Sequence, residues 1–555
     1  MKRAADLLVD CLAAHGLDRL FCVPGESYLA FLDALVGHPE SETPKIDTVV
    51  CRQEGGAGFM ALADAKLTGR AGLLAVSRGP GATNASIAIH SAQQDAVPLL
   101  VLIGQVARWE RGRGAFQEVD YVKTFSDMAK GVWEVENPDR LPEVIARALH
   151  TAYAGTPGAA VVVLPEDMLG ETTEASIEAP LPVARTAAAS DDIERTLALL
   201  AKAERPLLIA GGLLDRPEAR RALAAAAERH QLPVASTFKH QEIFDNGSPL
   251  YAGNLGFKIP HPLVTALSEA DLILAVGTRL GDVPTQGYRL PKAPQPDQPL
   301  IHVYPDPDVI GRVFRTDLGL ACDPASFLTA LSRSNAALPE GRSEWVATLG
   351  QASGRYRGYE VRQFDDGIDL GAVIKPLAAR VPKDAILVTD AGNFSSWINC
   401  LWPWDGSQLA LGAVGGAMGL GVPGAVAAAL RHPDRMVIAV TGDGGLMMTG
   451  NELASGIAAG AKPKILVSDN GSYGTIRLHQ ERDFPHRTLA TDLANPDFAR
   501  WAEAFGARGL TVTRQDEVEA AVTAFLEEPG PVLLSVASSL QGISANTTIS
   551  KLRGD

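Results

Sequence analysis

Short, continuously apolar segments rich in Val, Ile and Leu recur along the chain. They lie at residues 72–77, 98–103, 160–164, 206–210, 271–276, 385–389, 436–441 and 465–468. Strands that are apolar at every position are covered on both faces by other elements. Helix-like amphipathic stretches, such as 192–203 and 217–230, lie between these segments. The alternation predicts an α/β fold in which parallel sheets are layered between helices.

Two polar stretches divide the chain. Residues 171–190 are rich in Thr, Ala, Pro and Glu, and residues 334–364 contain no clear strand. The chain has 555 residues, and domains of ~100–200 residues make three domains the natural expectation. We therefore expect domains at about 1–175, 190–335 and 365–540.

Charge and composition exclude several classes of function. The formal net charge is −15, which disfavours a nucleic-acid partner because phosphate backbones require a basic surface. No apolar run approaches the ~18 residues of a membrane span. The N-terminal stretch carries Asp6 and Asp10 within its apolar pattern, unlike a signal peptide. The five cysteines are scattered without metal-type spacing, which favours reduced thiols, and we expect a soluble cytoplasmic protein.

The strongest chemical signal lies in the third segment, where two turns follow neighbouring strands. Residues 442–445 read GDGG, and residues 469–474 read DNGSYG. Both turns stand at the carboxyl ends of predicted parallel strands, where open α/β sheets bind ligands. Asp443 and Asn470 offer the hard oxygen ligands that Mg²⁺ prefers, with phosphates completing the shell. The alternative from these residues alone is a Gly-Asp turn in another kind of α/β protein.

Further glycine-rich motifs lie elsewhere in the chain. Residues 52–60 read RQEGGAGFM and follow a strand at 48–51, residues 77–84 read SRGPGATN, and residues 412–423 read GAVGGAMGLGVP. Together with the GDG and Asn pattern, they resemble the thiamine-diphosphate-dependent enzymes of the acetolactate synthase-like superfamily, which includes pyruvate decarboxylase and oxidase. The resemblance covers nearly the whole chain.

The resemblance implies a fold and a cofactor chemistry. It implies three doubly wound parallel-sheet domains, pyrimidine-binding, middle Rossmann-like and diphosphate-binding. Glu54 falls on the family's catalytic glutamate, which hydrogen-bonds N1′ of the aminopyrimidine so that its imine can remove the C2 proton of the thiazolium. Met418 falls on the residue that bends the cofactor, and Gly416 would place a carbonyl near the 4′-amino group.

The residues implied to touch cofactor, metal and substrate form a larger set. Cofactor contacts are implied for Glu54, Gly416, Met418, Gly442, Asp443, Gly444, Gly445, Asn470, Ser472, Tyr473 and Gly474. Mg²⁺ ligands are implied to be Asp443, Asn470 and the carbonyl of Ser472. Substrate contacts are implied for Phe116, Gln117, Ile476 and His479, with catalytic roles for Glu54, Gln117 and His479. The family's active site lies between subunits, so a homodimer or homotetramer is expected.

The chain departs from acetolactate synthases in two places. The middle segment reads NLGFK at 254–258, where the family has LGMHG around flavin and substrate. Val283 stands where the family has an Arg near the substrate acid, and His479 stands where acetolactate synthases commonly have Trp. No GxGxxG occurs in the middle segment, so FAD is unlikely.

Several functions remain open. The preferred one is decarboxylation of a 2-keto acid with transfer of the acyl-anion equivalent to a second carbonyl compound. The alternatives are simple decarboxylation or C–C cleavage, a flavin oxidase, and a catalytically silent regulatory subunit, against which the presence of Glu54 counts. Because Val283 offers no partner to a carboxylate, the expected acceptor is a neutral carbonyl, such as an aldehyde, or a proton. The competing expectation is that Arg78, Arg279 or Arg477 replaces the missing Arg.

Overall fold

The computed structural model describes residues 1–37, 46–257 and 259–554. Three six-stranded sheets lie within these residues, and all strands in each sheet are parallel. Successive residues of an inner strand enter different cores: Leu73 packs on one face of its sheet, and Leu74 packs on the other. The same alternation occurs at Ile438 and Ala439 in the third sheet. The prediction of three doubly wound α/β domains is confirmed.

The first sheet has the strand order β3-β2-β4-β5-β7-β6, and β1 pairs with β8 in a separate antiparallel ribbon. The strands are β1 (Lys2–Arg3), β2 (Arg19–Cys22), β3 (Asp47–Val50), β4 (Gly72–Val76), β5 (Leu99–Gln105), β6 (Gly131–Glu134), β7 (Ala159–Pro165) and β8 (Thr172–Thr173). The helices are α1 (Ala4–Ala14), α2 (Leu29–Val36), α3 (Glu54–Thr68), α4 (Pro80–Asn84), α5 (Ser86–Asp95), α6 (Tyr121–Phe125), α7 (Leu141–Tyr153) and α8 (Glu166–Gly170).

The second sheet has the order β11-β10-β9-β12-β13-β14, which is the strand order of dinucleotide-binding folds. Its strands are β9 (Pro206–Ala210), β10 (Val234–Thr237), β11 (Tyr251–Leu255), β12 (Leu272–Val276), β13 (Leu300–Tyr304) and β14 (Leu318–Ala321). Its helices are α9 (Ser190–Leu200), α10 (Pro217–His230), α11 (His261–Ser268), α12 (Pro324–Ser332) and α13 (Arg342–Arg357).

The third sheet has the order β16-β15-β17-β18-β20-β19, which repeats the connectivity of the first. Its strands are β15 (Ile386–Thr389), β16 (Leu409–Leu411), β17 (Val437–Gly442), β18 (Lys464–Asp469), β19 (Arg508–Val512) and β20 (Val532–Ala537). Its helices are α14 (Leu370–Arg380), α15 (Ser395–Leu401), α16 (Gly421–Arg431), α17 (Asp443–Thr449), α18 (Glu452–Ala458), α19 (Gly474–Asp483), α20 (Phe498–Ala504), α21 (Val518–Glu527) and α22 (Ile549–Arg553).

The stretch 334–364, predicted as a linker, contains helix α13. Arg342 at its start is almost fully buried and donates hydrogen bonds to the backbone carbonyls of Leu200, Ala203 and His230. The polar sequence of this stretch hides the helix, because an Arg that satisfies buried carbonyls replaces the usual apolar anchor. Residues 174–189, in the other predicted linker, form neither helix nor strand.

Within the described part of the chain, no helix combines the length and the apolar character needed to cross a lipid bilayer. All five cysteines are buried and form no disulfide.

The first and third domains share one continuous hydrophobic core, in which α3 packs against α16. At the edge of this contact, Arg431 binds both carboxylate oxygens of Asp64 at 2.8 Å. Near the start of α3, the buried carboxylate of Glu452 from α18 accepts hydrogen bonds from the backbone N–H groups of Arg52 and Gln53 at 2.9–3.2 Å. The third domain therefore fixes the turn that leads into α3.

We predict that Glu452→Ala weakens this junction. The substitution removes the charged acceptor that the N–H groups of Arg52 and Gln53 share, so the free energy of unfolding should fall by about 1–3 kcal/mol. Chemical denaturation of purified protein measures the change. Glu503→Ala, an exposed position on α20, is the matched control. Equal stability of the two variants would contradict the prediction.

Candidate active site

The carboxyl edge of the third sheet contains a cavity of about 680 Å³. The connections from β15 to β16 and from β17 to β18 run in opposite directions along the sheet, so the order reverses between β15 and β17. Such a reversal leaves a crevice at the carboxyl ends of the strands. Helices α15, α17 and α19 begin at this crevice, and the middle domain contributes Phe238, Lys239 and Phe257 to the cavity wall.

Asp443 is a buried carboxylate in the wall of the cavity. It follows β17 directly and is 3% exposed. Its carboxylate accepts hydrogen bonds from the N–H groups of Gly444 at 2.8 Å and Ser472 at 3.2 Å. Burial raises the pKa of Asp443, and the nearby carboxylate of Asp469 adds to this effect. A bound cation would stabilise the ionised carboxylate of Asp443 against both its burial and the repulsion from Asp469.

Asn470 lies beside Asp443 at the end of β18. Its amide oxygen accepts a hydrogen bond from the N–H of Ser472 at 3.1 Å, so one backbone turn orients both side chains. The hydroxyl of Ser472 donates to the carbonyl of Thr491 at 3.0 Å, which holds this turn in place. Together, Asp443, Asn470 and the carbonyl of Ser472 form a set of hard oxygen donors suited to Mg²⁺.

The glycines of the GDGG turn are needed for close packing of protein groups. A Cβ on Gly444 would stand 2.6 Å from the ring of Tyr473, and a Cβ on Gly445 would stand 2.8 Å from the carboxylate of Asp390. A glycine-rich turn at the start of a helix can also let the backbone approach a phosphate. In the structure, their closest neighbours are side chains of the chain itself.

Asn393, which the sequence analysis did not identify, presents an unused donor in the cavity. Its amide oxygen accepts a hydrogen bond from the hydroxyl of Thr475 at 2.6 Å, whereas its buried Nδ2 has no partner. It lies near Gly474, whose added Cβ would be 3.3 Å from this nitrogen. An unsatisfied buried donor close to the first turn of α19 fits an anionic oxygen, because helix N-termini also favour negative charge.

The segment 412–423 forms another part of the wall. Asp390, fully buried behind it, accepts hydrogen bonds from the N–H groups of Gly419 and Gly421 and so fixes its path. Gly416 adopts a left-handed φ of 71° with open space beside it, and Met418 lines the cavity.

The outer wall is one face of α19. Ile476 and His479 are three residues apart and both line the cavity. Arg482 donates to Nδ1 of His479 at 3.0 Å. Because Arg is only a donor, Nδ1 must be the acceptor and the proton of a neutral His479 lies on Nε2.

The structure brings most of the sequence-predicted residues together. Those that line the cavity are Gly416, Met418, Gly442, Asp443, Gly444, Gly445, Asn470, Ser472, Tyr473, Gly474, Ile476 and His479.

The other three predicted residues, Glu54, Phe116 and Gln117, belong to the first domain and do not line this cavity. Glu54 accepts a hydrogen bond from the Nδ2 of Asn84 at 3.0 Å. Gln117 packs against Gly79, and Phe116 is 73% exposed. Within one chain, the predicted site therefore forms two separate clusters.

Three family models match the chain in order. They are described as the thiamine pyrophosphate enzyme N-terminal TPP binding domain at residues 2–124, the central domain at 193–331 and the C-terminal TPP binding domain at 390–536.

Curated relatives match over almost the full chain. The mitochondrial acetolactate synthase catalytic subunit of Saccharomyces cerevisiae is 31% identical, with 95% of this chain and 79% of the relative covered. The large subunit of acetolactate synthase isozyme 2 from Escherichia coli is 30% identical, with 96% and 95% covered. The large subunit from Corynebacterium glutamicum is 32% identical, with 93% and 84% covered.

We predict that Asn495, absent from the sequence-based set, stabilises this site. Its amide donates to Asp443 at 2.9 Å and to Asp469 at 2.8 Å, and so bridges two carboxylates. Asn495→Leu should lower the free energy of unfolding by about 1–3 kcal/mol, because both acceptors lose a donor. Chemical denaturation measures the loss. The exposed Asn335 provides the control Asn335→Leu; an equal effect of both variants would contradict the prediction.

Proposed function

The chain belongs to the thiamine pyrophosphate enzyme family as an acetolactate synthase-like enzyme acting on C–C bonds, and we propose that it is a Mg²⁺-dependent decarboxylase and carboligase of 2-keto acids. In this proposal, the acyl-anion equivalent left by decarboxylation is transferred to a second carbonyl compound. The observation that carries it is the composition of the cavity wall. The wall combines the oxygen ligands of Asp443 and Asn470 with the amide Nδ2 of Asn393, which has no hydrogen-bond partner.

The residues present fit the cofactor. The carboxylate of Asp443, the amide oxygen of Asn470 and the carbonyl of Ser472 would hold Mg²⁺. Asn393 and the first turns of the helices at the cavity would hold the diphosphate. When bound, thiamine diphosphate supplies a carbon nucleophile for the 2-keto group and accepts the electron pair released as CO₂ leaves.

The chain's own residues have distinct proposed tasks. Met418 would pack against the cofactor from the cavity wall, and Gly416 would offer its backbone carbonyl at a position with open space. Ile476 excludes water from the reacting carbon. His479, with its proton on Nε2, donates a hydrogen bond to a substrate oxygen. Glu54 would hold and exchange the proton at N1′ of the pyrimidine.

The separation of the two clusters supports an oligomer. We propose that Glu54, Phe116 and Gln117 of a second copy close the cavity, which requires at least a homodimer and permits a homotetramer. The exposed Phe116 is an apolar group without cover in the single chain, as expected of an interface residue.

The three matched family models support a set of domain assignments. We propose a pyrimidine-binding domain at 1–175, a middle domain at 190–335 and a diphosphate-binding domain at 365–540. That FAD is unlikely stays a prediction: the middle sheet has a dinucleotide-type strand order, but its NLGFK stretch departs from the flavin-binding family pattern. Lys258 of that stretch lies outside the described residues.

Simple decarboxylation is the second candidate function. His479 favours it, because its Nε2–H could protonate the reacting carbon in place of a carbonyl acceptor. The product distinguishes the two functions, since only carboligation gives a hydroxyketone or hydroxy-keto acid with more carbon atoms than either substrate.

The experiment that tests the function compares wild type with Glu54→Gln. Purified protein is incubated with thiamine diphosphate, Mg²⁺ and single or paired 2-keto acids and aldehydes, and products are identified by mass. Gln keeps an acceptor for Asn84 but cannot exchange a proton with N1′, so turnover should fall by about 10²-fold or more. Thermal stability and cofactor affinity should be retained.

Two outcomes count against the proposal. Wild-type turnover in the Glu54→Gln variant would remove the role of Glu54. A wild-type protein that binds the cofactor but converts no 2-keto acid or aldehyde would favour a silent regulatory subunit.

We predict that Asp443→Ala lowers the affinities for Mg²⁺ and thiamine diphosphate together. Without this carboxylate the metal loses a charged ligand, and the diphosphate is left poorly neutralised. Calorimetric titration of cofactor-free protein measures both affinities. Asp434→Ala, at an exposed position of the same domain, serves as control. Wild-type affinity in Asp443→Ala would place the metal site elsewhere.

A further inference from the structure

The cavity needs a cation if a substrate is to keep its carboxylate there. Val283 removes the family's arginine, and the sequence suggests three replacements. None of the three lines the cavity. Their guanidinium groups are held by other oxygens: Arg78 by Glu26 and Glu166, Arg279 by the carbonyls of Gln93 and Gln94, and Arg477 by Glu481 and Asp492.

Lys239 is a cation that reaches the cavity from the middle domain. It follows β10 and adopts a left-handed φ of 63°, a conformation that non-glycine residues rarely take. Its side chain crosses to the third domain, where Nζ donates to the hydroxyl of Thr389 at 2.8 Å and to the carbonyl of Asp390 at 2.9 Å. The backbone strain and the two hydrogen bonds hold the ammonium in one position.

The charge of Lys239 is not neutralised by a direct partner. Within the described part of the chain, its ammonium forms no ion pair, and both acceptors are uncharged oxygens. An ammonium has three donors, so one remains for a ligand. Burial lowers the pKa of Lys239 to about 8; Asp390 and Asp95 oppose this shift, and Lys66 adds to it.

Among the described residues of the cavity wall, the other Lys or Arg is Arg482, which is already paired. Its guanidinium binds both carboxylate oxygens of Asp483 at 2.7 Å. A bidentate pair of this kind leaves little charge for a substrate. Lys239 is therefore the better candidate for an anionic group.

A cation could meet the carboxylate of either substrate. The donor's carboxylate must leave as CO₂, and a strong ion pair in the ground state would oppose its departure. The acceptor's carboxylate persists through the reaction, so an ammonium can bind it at no such cost.

We propose that Lys239 is a specificity-determining residue that binds the carboxylate of the acceptor, so that the enzyme selects a 2-keto acid over an aldehyde as second substrate. This inference rests on the proposed function. In it, the ammonium of Lys239 supplies the positive charge that is missing at Val283. It opposes the neutral acceptor expected from the sequence, and one experiment decides between them.

The experiment lets pyruvate and ¹³C-labelled acetaldehyde compete as acceptors, with pyruvate as donor. The two products share the donor half, so the ratio of acetolactate to labelled acetoin isolates the choice of acceptor. Lys239→Met should lower this ratio by roughly 10- to 100-fold, the range of one hydrogen bond to a charged group. Lys239→Arg should restore part of it, and Lys202→Met, exposed in the same domain, should match wild type.

The pH dependence adds a readout that a purely structural role would not change. The ammonium is charged below its pKa of about 8, so in wild type the product ratio should fall as the pH rises above 8. Asp390, Asp95 and Lys66 surround the group and shift this midpoint, but they act on both acceptors alike. Lys239→Arg, which stays charged, should show no such fall.

Binding of non-reacting probes separates the inference from the proposed function. Lactate and its neutral amide are titrated into protein loaded with cofactor and Mg²⁺. Wild type should prefer lactate, and Lys239→Met should lose the preference. If no 2-keto acid is turned over while this preference holds, the proposed function fails and the anion site stands.

An unchanged product ratio in Lys239→Met, or an equal loss of both products, would overturn the inference. Lys239 would then only join the middle domain to Thr389 and Asp390, and the neutral acceptor would be favoured.

Discussion

Burial of apolar strands on both faces is the constraint on which the rest of the structure depends. A strand whose successive residues enter two different cores has no polar face to offer, so polar chemistry is confined to the edges of the sheet. Asp443 and Asn470 each stand three positions past the last aliphatic residue of their strands, Val440 and Val467. The helices that cover the faces begin at the same edge, and their N-termini add partial positive charge to the cavity.

Eight of the twelve inner strands of the three sheets could be predicted from continuous apolar runs, whereas the inner strands β2, β10, β13 and β20 and most of the edge strands were not recognised. The eight apolar runs correspond to β4, β5, β7, β9, β12, β15, β17 and β18, which all have neighbours on both sides. Edge strands β14 and β19 contain exposed residues and lack a continuous apolar run. Helix α13 escaped prediction because its anchor, Arg342, is a charged residue that is buried only in the context of the fold.

The residues of the candidate site also divide into those that the sequence could place and those that it could not. Motif residues such as Asp443 and Met418 could be placed from the sequence, because turn chemistry at strand ends is local. Asn495 and Glu452 could not, since each acts on residues distant in the chain: Asn495 on two carboxylates of other turns, and Glu452 on the turn before Glu54. Asn393 follows β15 as Asn470 follows β18, so position at the sheet edge was a usable signal for it.

For the choice of acceptor substrate, the substitution at Val283 taken alone leads to a different expectation from the three-dimensional arrangement of the cavity. Val283 lies beyond the end of β12 and Lys239 beyond the end of β10, and these two strands flank β9 in the same sheet. Both positions therefore belong to the same edge of the middle domain, although they are 44 residues apart in sequence. A charge lost from one loop can be supplied by its neighbour, because a carboxylate requires a cation at a place in space and not at a position in the chain. Only the three-dimensional arrangement distinguishes a cavity without a cation from one in which the cation has moved.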